Sequence, residues 1–198
     1  MCVWLFSGGG EMLKETMKHP NIILPHFTTL PDGRDVIVDT MTESHLKQVW
    51  HIVQDAAQNN DGFGADEFPT EETFRDDIKG GSRFAILNKE NGEMIAAFVL
   101  AISKYYRGQN VVDPFVIVQR CERRKGVGEL CFQLCIQYAR TLGYMGMYVD
   151  TFSSNTAMIK IIERSEGFQK VGYLPMGGRT KDGDIIGSYI YYRDLRVT

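Results

Sequence analysis

The pattern of apolar and polar residues predicts a β-hairpin at residues 28–40 and a helix after it. The hairpin region contains the turn sequence Pro31-Asp32-Gly33 and then an apolar run at residues 36–38, which is typical of a strand. Thr42 is a suitable N-cap for the helix. Apolar residues then recur at the spacing of one helical face, which we expect to be buried: Leu46, Val49, Trp50, Val53, Ala56 and Ala57.

A second, shorter helix and three strands follow in the pattern. Thr70 is a candidate N-cap for the short helix, which we expect to end near Gly80. The strands are predicted at residues 83–87, 93–103 and 110–118. Short turn sequences between them favour an antiparallel meander.

The second half of the chain predicts a β-α-β unit. Its helix carries an apolar stripe, which consists of Val127, Leu130, Cys131, Leu134, Cys135, Tyr138 and Leu142. The strand predicted at residues 147–152 is expected to run parallel to the strand at 110–118, because such crossovers bring both strands into one sheet. A last helix at 155–166 and strands at 168–173 and 185–193 complete a mixed α/β (α+β) fold.

The junction between the strand at 110–118 and the next helix carries the most informative chemistry. It contains four basic residues and two glycines within residues 120–128: Arg120, Arg123, Arg124, Lys125, Gly126 and Gly128. Backbone N–H groups at a helix start lack internal partners, and the helix dipole adds partial positive charge there. This turn therefore favours an anion such as a pyrophosphate, which arginine can also bind in a bidentate way. Neither a Walker loop nor a dinucleotide fingerprint is present.

The sequence Arg123-Arg124-Lys125-Gly126-Val127-Gly128 resembles the Arg/Gln-x-x-Gly-x-Gly/Ala signature of the GNAT superfamily of acyl-CoA-dependent N-acetyltransferases. Asn155 before the last helix and the Gly167-Phe168 pair after it also fall at the family's spacing. The resemblance covers roughly residues 30–195. It implies a GNAT fold: a twisted, mostly antiparallel sheet of about seven strands, one parallel pair split around acetyl-CoA, and helices on both faces.

The resemblance also implies which residues contact the acetyl-CoA cosubstrate. Val116, Ile117 and Val118 would offer backbone groups to the pantetheine arm. Asn155 would also contact this arm, although capping the helix that it opens is an alternative role. The pyrophosphate would be held by the turn and the first helical residues: Arg123, Arg124, Lys125, Gly126, Val127, Gly128 and Glu129.

Three carboxylates are candidates for the proton transfers. Acetyl transfer needs a neutral amine, so a base must take a proton from an ammonium acceptor. Asp150 is the first candidate, provided that its side chain faces the gap between the parallel strands, and Glu67 is the second. Glu163 occupies the position where many family members carry a tyrosine that protonates the departing thiolate. A structural or surface role remains open for each of the three.

The acceptor is predicted to be a small amine, such as an amino acid or a polyamine. The loop at residues 59–68 combines aromatic with acidic side chains, a composition that attracts a cation. Tyr105, Tyr106 and residues 174–178 are further candidates for the acceptor pocket. Two alternatives remain open, a non-catalytic CoA sensor or scaffold and an acetyltransferase that acts on protein N-termini or lysines.

The composition and net charge of the chain limit the kinds of partner that we expect. The 198 residues favour one domain, and 43% hydrophobic with 24% charged residues is an ordinary globular composition. No stretch approaches the roughly 18 apolar residues of a membrane span. The formal net charge of −3 gives no reason to expect nucleic-acid binding. We therefore expect neither a nucleic acid nor a membrane as a partner, and we expect a monomer or a homodimer. The opening residues lack the charged start of a secretory signal, so the expected compartment is the cytoplasm.

The cysteines and histidines do not indicate a metal site. Cys2, Cys121, Cys131 and Cys135 form no Cys-x-x-Cys pair and are expected to be reduced thiols, with Cys131 and Cys135 as small core residues. The histidines do not cluster in a metal-binding pattern; they are His19, His26, His45 and His51. Residues 1–30 are interpreted as an N-terminal extension to a domain at 31–198.

Overall fold

Eight strands form one mixed sheet in the computed structural model, which describes residues 21–104 and 109–196. The strands are β1 (His26–Thr29), β2 (Asp35–Thr40), β3 (Ser82–Asn88), β4 (Met94–Ile102), β5 (Val111–Val118), β6 (Gly146–Phe152), β7 (Gln169–Arg179) and β8 (Ile185–Asp194). The helices are α1 (Glu43–Gln58), α2 (Glu71–Asp77), α3 (Val127–Thr141) and α4 (Thr156–Arg164), with a short 3-10 turn at Arg120–Glu122.

The strand order is β1-β2-β3-β4-β5-β6-β8-β7, and only β5 and β6 are parallel neighbours. The predicted mixed sheet with one parallel pair is thereby confirmed. The sheet has eight strands rather than about seven because β1 pairs with β2 over four positions and extends the edge. His26–Thr29 thus lie within the sheet, and the boundary predicted between residues 30 and 31 stays a prediction.

Capping residues begin the first two helices where the sequence predicts them. The Thr42 hydroxyl accepts a hydrogen bond from the His45 N–H at 3.2 Å, and Thr42 N–H donates to His45 Nδ1. Thr70 and Thr73 form the same reciprocal arrangement at the start of α2. Such caps satisfy N–H groups that the helix itself leaves unpaired.

Helices cover both faces of the sheet. Alternate strand residues point to opposite faces, so Phe98 packs in the cluster that includes α3, whereas Ala97 packs in the cluster that includes α1 and α2. Cys131 and Cys135 are fully buried on α3, as predicted. Burial raises the pKa of the Cys131 thiol to about 12, so this residue behaves as a small hydrophobic side chain.

None of the described helices is long and apolar enough to cross a membrane. Several sequence-based expectations concern residues outside the described ranges. These are the first 20 residues of the predicted extension at residues 1–30, with Cys2 and His19, and the proposed pocket residues Tyr105 and Tyr106.

Candidate functional site

The glycine turn before α3 is shaped by two residues with left-handed backbone. Gly126 is the N-cap of α3 with φ of 81°, and Arg124 has φ of 62°. A Cβ at position 126 would lie 2.6 Å from Pro31 Cγ, in the turn between β1 and β2. Glycine is therefore required at position 126 for two reasons, its left-handed backbone angle and the close approach of Pro31.

The start of α3 presents N–H groups without partners in the helix. The first helical bond runs from Leu130 N–H to the Gly126 carbonyl, and Gly126 has no side chain to cap the preceding N–H groups. Arg124 is exposed beside them and forms no ion pair with a described residue. Partial positive charge, free donors and one available guanidinium fit a phosphate group.

The neighbouring cations already have partners. Asp61 Oδ2 accepts from Arg120 Nη2 at 2.9 Å and lies 2.8 Å from Arg123 Nη1. Lys125 Nζ lies 3.4 Å from a carboxylate oxygen of Glu122. Three of the four basic residues in the turn are therefore paired with protein carboxylates. Arg124 is the one that has no such partner among the described residues.

The parallel strands β5 and β6 separate directly after their first residues. Their pairing consists of Val111 with Gly146 and Val112 with Met147. Val116 lines the resulting cleft, whereas Ile117 is buried against the opposite side of the strand. One edge of β5 beyond Val112 is thus free to offer backbone groups to a ligand, as the resemblance implies for Val116, Ile117 and Val118.

Two further predicted cofactor contacts have structural roles. The Asn155 side chain accepts a hydrogen bond from Met158 N–H at 3.2 Å, which caps α4, and it also lines the cleft. Gly128 packs between α4 and β5, since a Cβ there would lie 3.5 Å from Ile161 Cδ1 and 3.8 Å from Val118 Cγ2. Contact of either residue with the cofactor stays a prediction.

The cleft widens into a cavity of about 320 Å³ between the sheet and the loop that joins α1 to α2. Aromatic side chains from the loop and both strands form its walls: Phe63, Phe68, Phe115 and Phe152. The loop is attached to the β7–β8 hairpin, because Ala65 N–H donates to the Arg179 carbonyl at 2.8 Å. Gly177 from the predicted segment at 174–178 also lines the cavity.

Three carboxylates, Glu67, Asp113 and Asp150, line this cavity and are called the acidic cluster below. Glu67 and Asp150 are exposed and Asp113 is half-buried, although all three line the cavity. Burial, with a smaller contribution from Asp150, raises the pKa of Glu67 to about 7 and that of Asp113 to about 8. Burial also raises the pKa of Asp150. Glu67 and Asp113 can therefore exchange protons near neutral pH.

Glu67 and Asp150 both line this cavity, and the role of either as the base stays a prediction. Glu67 is held in place because its Oε2 accepts from Gly64 N–H at 2.8 Å. Asp113 is the member that the sequence analysis missed. The signal in the sequence was an acidic residue inside an otherwise apolar strand.

Glu163 does not lie among the residues that line the cavity. Its Oε1 accepts from the Tyr191 hydroxyl at 3.1 Å and lies 3.7 Å from Lys170 Nζ. Tyr191 is buried in the core under α4. The Glu163 side chain is half exposed at this position, and its role as an acid stays a prediction.

Metal-binding groups of three or more His, Cys, Asp or Glu residues do not occur in the part of the chain that the structure describes. The expectation that the chemistry requires no metal stays a prediction.

A family model described as "Acetyltransferase (GNAT) family" matches residues 46–168. Protein SPT10 of Saccharomyces cerevisiae is 21% identical over 179 residues. The match covers 89% of this chain, but the chain spans only 28% of that relative's length.

Solved structures with the same fold include three acetyltransferase-related proteins. A GCN5-related N-acetyltransferase from Kribbella flavida has a TM-score of 0.69 at 16% identity, over 80% of this chain and 97% of that chain. The yncA structure from Salmonella typhimurium, with its cofactor acetyl-CoA, has a TM-score of 0.67 at 19% identity, over 81% and 94%. The ribosomal-protein-S18-alanine N-acetyltransferase from Escherichia coli has a TM-score of 0.63 at 21% identity, over 81% and 94%.

Proposed function

Since the chain belongs to the acetyltransferase (GNAT) family, we propose that it transfers the acetyl group of acetyl-CoA to an amine. One observation carries the proposal. The only parallel strand pair among the described residues opens after Val112, with an anion-binding helix start beside the opening and an acidic cluster in the adjoining cavity. This arrangement suits a phosphorylated donor on one side and a cationic acceptor on the other.

The residues that would hold acetyl-CoA follow from these features. N–H groups of Val127, Gly128 and Glu129 and the Arg124 guanidinium would bind the pyrophosphate. The free edge of β5 would lie along the pantetheine arm. When bound, acetyl-CoA supplies an activated carbonyl and a thiol of pKa near 8.5 as a leaving group.

Glu67 is the residue best suited to take the proton from the acceptor. A base works best when its pKa is close to the working pH, and burial brings the pKa of Glu67 to about 7. The amine nitrogen bonds to the carbonyl carbon as the C–S bond breaks, its proton passes to Glu67, and the thiolate takes a proton from solvent. Asp150, the first candidate from sequence, lines the same cavity and would contact the acceptor there.

The acceptor proposed here is a small molecule, because the cavity lies at the lower end of the range for small-molecule pockets, roughly 300–1,000 Å³. A protein N-terminus is the second candidate, and the structural similarity to a ribosomal-protein-alanine acetyltransferase favours testing it. A non-catalytic CoA sensor is the third. It is favoured by the replacement of the usual tyrosine with Glu163 and by the position of Glu163 outside the cavity.

The test begins with titration of acetyl-CoA and CoA into wild-type protein and an Arg124→Glu variant. Arg124→Glu should weaken binding by roughly ten- to hundredfold, the range for a lost charge-assisted hydrogen bond. Lys47→Glu on the exposed face of α1 is the control for the same charge change.

Thiol release from acetyl-CoA with small amines, and with a peptide that has a free N-terminus, then separates the three candidates. Binding of acetyl-CoA without thiol release by any acceptor would favour the sensor. Absence of binding to the folded wild-type protein would exclude both the enzyme and the sensor.

A further inference from the structure

We propose that Ser188 is a positioning residue, whose hydroxyl hydrogen-bonds a neutral polar group of the acceptor away from the nitrogen that is acetylated. The inference rests on the proposed acetyl transfer and adds a contact to the same cavity. It follows from three observations: the hydroxyl is buried without a partner, it belongs to the cavity face of the sheet, and the residues paired with Ser188 carry no charge.

The Ser188 hydroxyl is buried, and the protein does not use it. Ser188 on β8 is 1% exposed. Among the residues that the structure describes, its Oγ is the one buried side-chain oxygen or nitrogen without a hydrogen-bond partner. The buried Ser165 differs, because its hydroxyl donates to the Ile161 carbonyl at 2.8 Å and accepts from Gln133 Nε2 at 3.1 Å. Burial of a hydroxyl without a hydrogen bond is unfavourable, so serine at 188 does not stabilise the fold by itself.

The strand register directs Ser188 toward the acceptor cavity. Ser188 lies directly opposite Phe152 in the pairing of β6 with β8. Residues opposite each other in antiparallel strands point to the same face of the sheet. Phe152 forms part of the cavity wall, and Ser188 also lines the cavity. A polar group of a bound acceptor would therefore supply the partner that the Ser188 hydroxyl lacks.

Two glycines of β7 cover this part of the wall with main chain alone. A Cβ at Gly177 would lie 2.1 Å from Ser188 Oγ, and a Cβ at Gly178 would lie 2.5 Å from the Phe152 ring. The register between β7 and β8 shifts just before Gly178, and residues 175–177 have no paired residue on β8. Strand pairing therefore fixes this cover less firmly than the rest of the hairpin, so it can shift as an acceptor enters.

The position of Ser188 determines which part of the acceptor it contacts. Strand β6 separates β8 from the gap between β5 and β6, where the cofactor is proposed to lie. Adjacent strands are about 4.8 Å apart, so Ser188 is roughly 5–10 Å from this gap and from the acetylated nitrogen. The residues opposite Ser188 are Phe152 and Leu174, which cannot compensate an ionic group. A neutral group such as a hydroxyl is therefore favoured.

The test measures thiol release from acetyl-CoA by the full chain with pairs of acceptors. Aminopropanol, aminobutanol and aminopentanol extend over this distance, and butylamine, pentylamine and hexylamine replace their hydroxyl with a methyl group. We expect kcat/KM for at least one amino alcohol to exceed that of its alkylamine by roughly three- to tenfold, the effect of one neutral hydrogen bond. Ser188→Ala should abolish this preference.

Stability distinguishes the proposed role from a structural one. Ser188→Ala removes a hydroxyl without a partner, so its Tm should be no lower than that of the wild type. Ser165→Ala is the matched control, because it removes a hydroxyl with two hydrogen-bond partners outside the cavity lining. The control should lower the Tm and keep the preference for the amino alcohol.

Three results would overturn the inference: equal use of both acceptors in every pair, a preference that survives Ser188→Ala, or a Ser188→Ala protein that is less stable than the wild type. Thiol release in any of these cases would leave the acetyltransferase proposal intact. Absence of thiol release with all of these amines would count against acetyl transfer, and titration of the amino alcohols into the CoA-bound protein would then test the contact alone. Binding that Ser188→Ala weakens would retain the contact, whereas equal binding by both proteins, or none, would overturn it as well.

Discussion

Asp61 Oδ2 lies 2.8 Å from Arg123 Nη1, so the loop that borders the acceptor cavity is joined directly to the turn before α3. The same oxygen accepts from Arg120 Nη2. Since Asp61 also lines the cavity, one carboxylate contacts both the proposed cofactor side and the acceptor side. Bound phosphate groups would compete with Asp61 for these guanidinium groups.

Asp61→Asn should therefore tighten CoA binding. The substitution removes a negative charge and frees Arg120 and Arg123 for phosphate oxygens, and partly exposed pairs of this kind contribute about 0.2–1 kcal/mol. We expect the Kd for CoA to fall by roughly two- to fivefold. Isothermal titration at low and high salt would measure the change, which should shrink at high salt.

Asp55→Asn is the matched control for Asp61→Asn. Asp55 lies 3.4 Å from Arg120 but contacts neither Arg123 nor the cavity, so its effect should be smaller. Weaker CoA binding by Asp61→Asn would show that Asp61 positions the arginines instead of competing with the ligand.

Gly126→Ala should destabilise the protein more than Gly80→Ala. Both glycines have nearly the same left-handed backbone, with φ of 81° and 80°. A Cβ at Gly80 would meet nothing within 4 Å, whereas at Gly126 it would lie 2.6 Å from Pro31 Cγ. Gly80→Ala should cost about 1–2 kcal/mol from backbone strain alone, and Gly126→Ala more than that.

Urea denaturation of the two alanine variants would measure this difference in the free energy of unfolding. Equal losses would mean that the β1–β2 turn moves away from Gly126 at no cost.

Stability should decrease as pH rises from about 4 to about 8. The folded-state pKa of Asp113 is about 8 and its ordinary value is 3.8, so the folded state holds a proton that the unfolded state releases over this interval. The stabilisation is present at low pH and is lost as pH rises through the interval. Glu67 contributes in the same direction up to about pH 7.

Thermal unfolding of wild type and Asp113→Asn across this pH interval checks the sign. The decline in Tm should be shallower in the variant, because asparagine does not ionise. A decline of equal steepness in both proteins would rule out Asp113 as its source.

Activity should have the opposite dependence on pH. A base must be deprotonated to accept the ammonium proton, so kcat/KM should rise as pH passes through about 7, the pKa of Glu67. Glu67→Gln should lower kcat by roughly 10²–10⁴-fold and remove this rise. Because the acceptor ionises identically with both enzymes, comparing their profiles isolates the contribution of Glu67.

Asp66→Asn provides the control for Glu67→Gln. Asp66 is adjacent in sequence but exposed, and it lies 3.8 Å from Arg179 outside the cavity lining. The Asp66→Asn enzyme should retain the rise in activity over the same pH range. A Glu67→Gln enzyme with an unchanged profile would assign the base to another group.

Much of the fold was predictable because its signals are local. Thr42 and Thr70 cap the helices that they were predicted to begin, since capping depends on residues only three positions away. The periodicity of α3 correctly predicted that Cys131 and Cys135 are buried. The hairpin of β1 and β2 was predicted from its turn sequence, although β1 begins at His26, before the predicted start at residue 28.

The candidate site was predictable only in part. Glu67 and Asp150 were identified by type, but their proximity depends on a loop crossing over the end of the sheet. Asp113 escaped notice because its importance comes from the separation of β5 and β6 around it, which no local pattern encodes. Glu163 was selected by alignment to a motif, and the structure orients its carboxylate toward Tyr191 and Lys170.

The sequence by itself determined the order of strands and helices, the glycine turn before α3 and the family, because periodicity, capping and turn chemistry act over a few residues. Tertiary structure decided which charges meet. It paired Asp61 with Arg123 and Lys104 with Asp77, and it placed Asp113 half-buried in the cavity lining. The physical reason is that charge compensation and desolvation depend on distances between residues far apart in sequence.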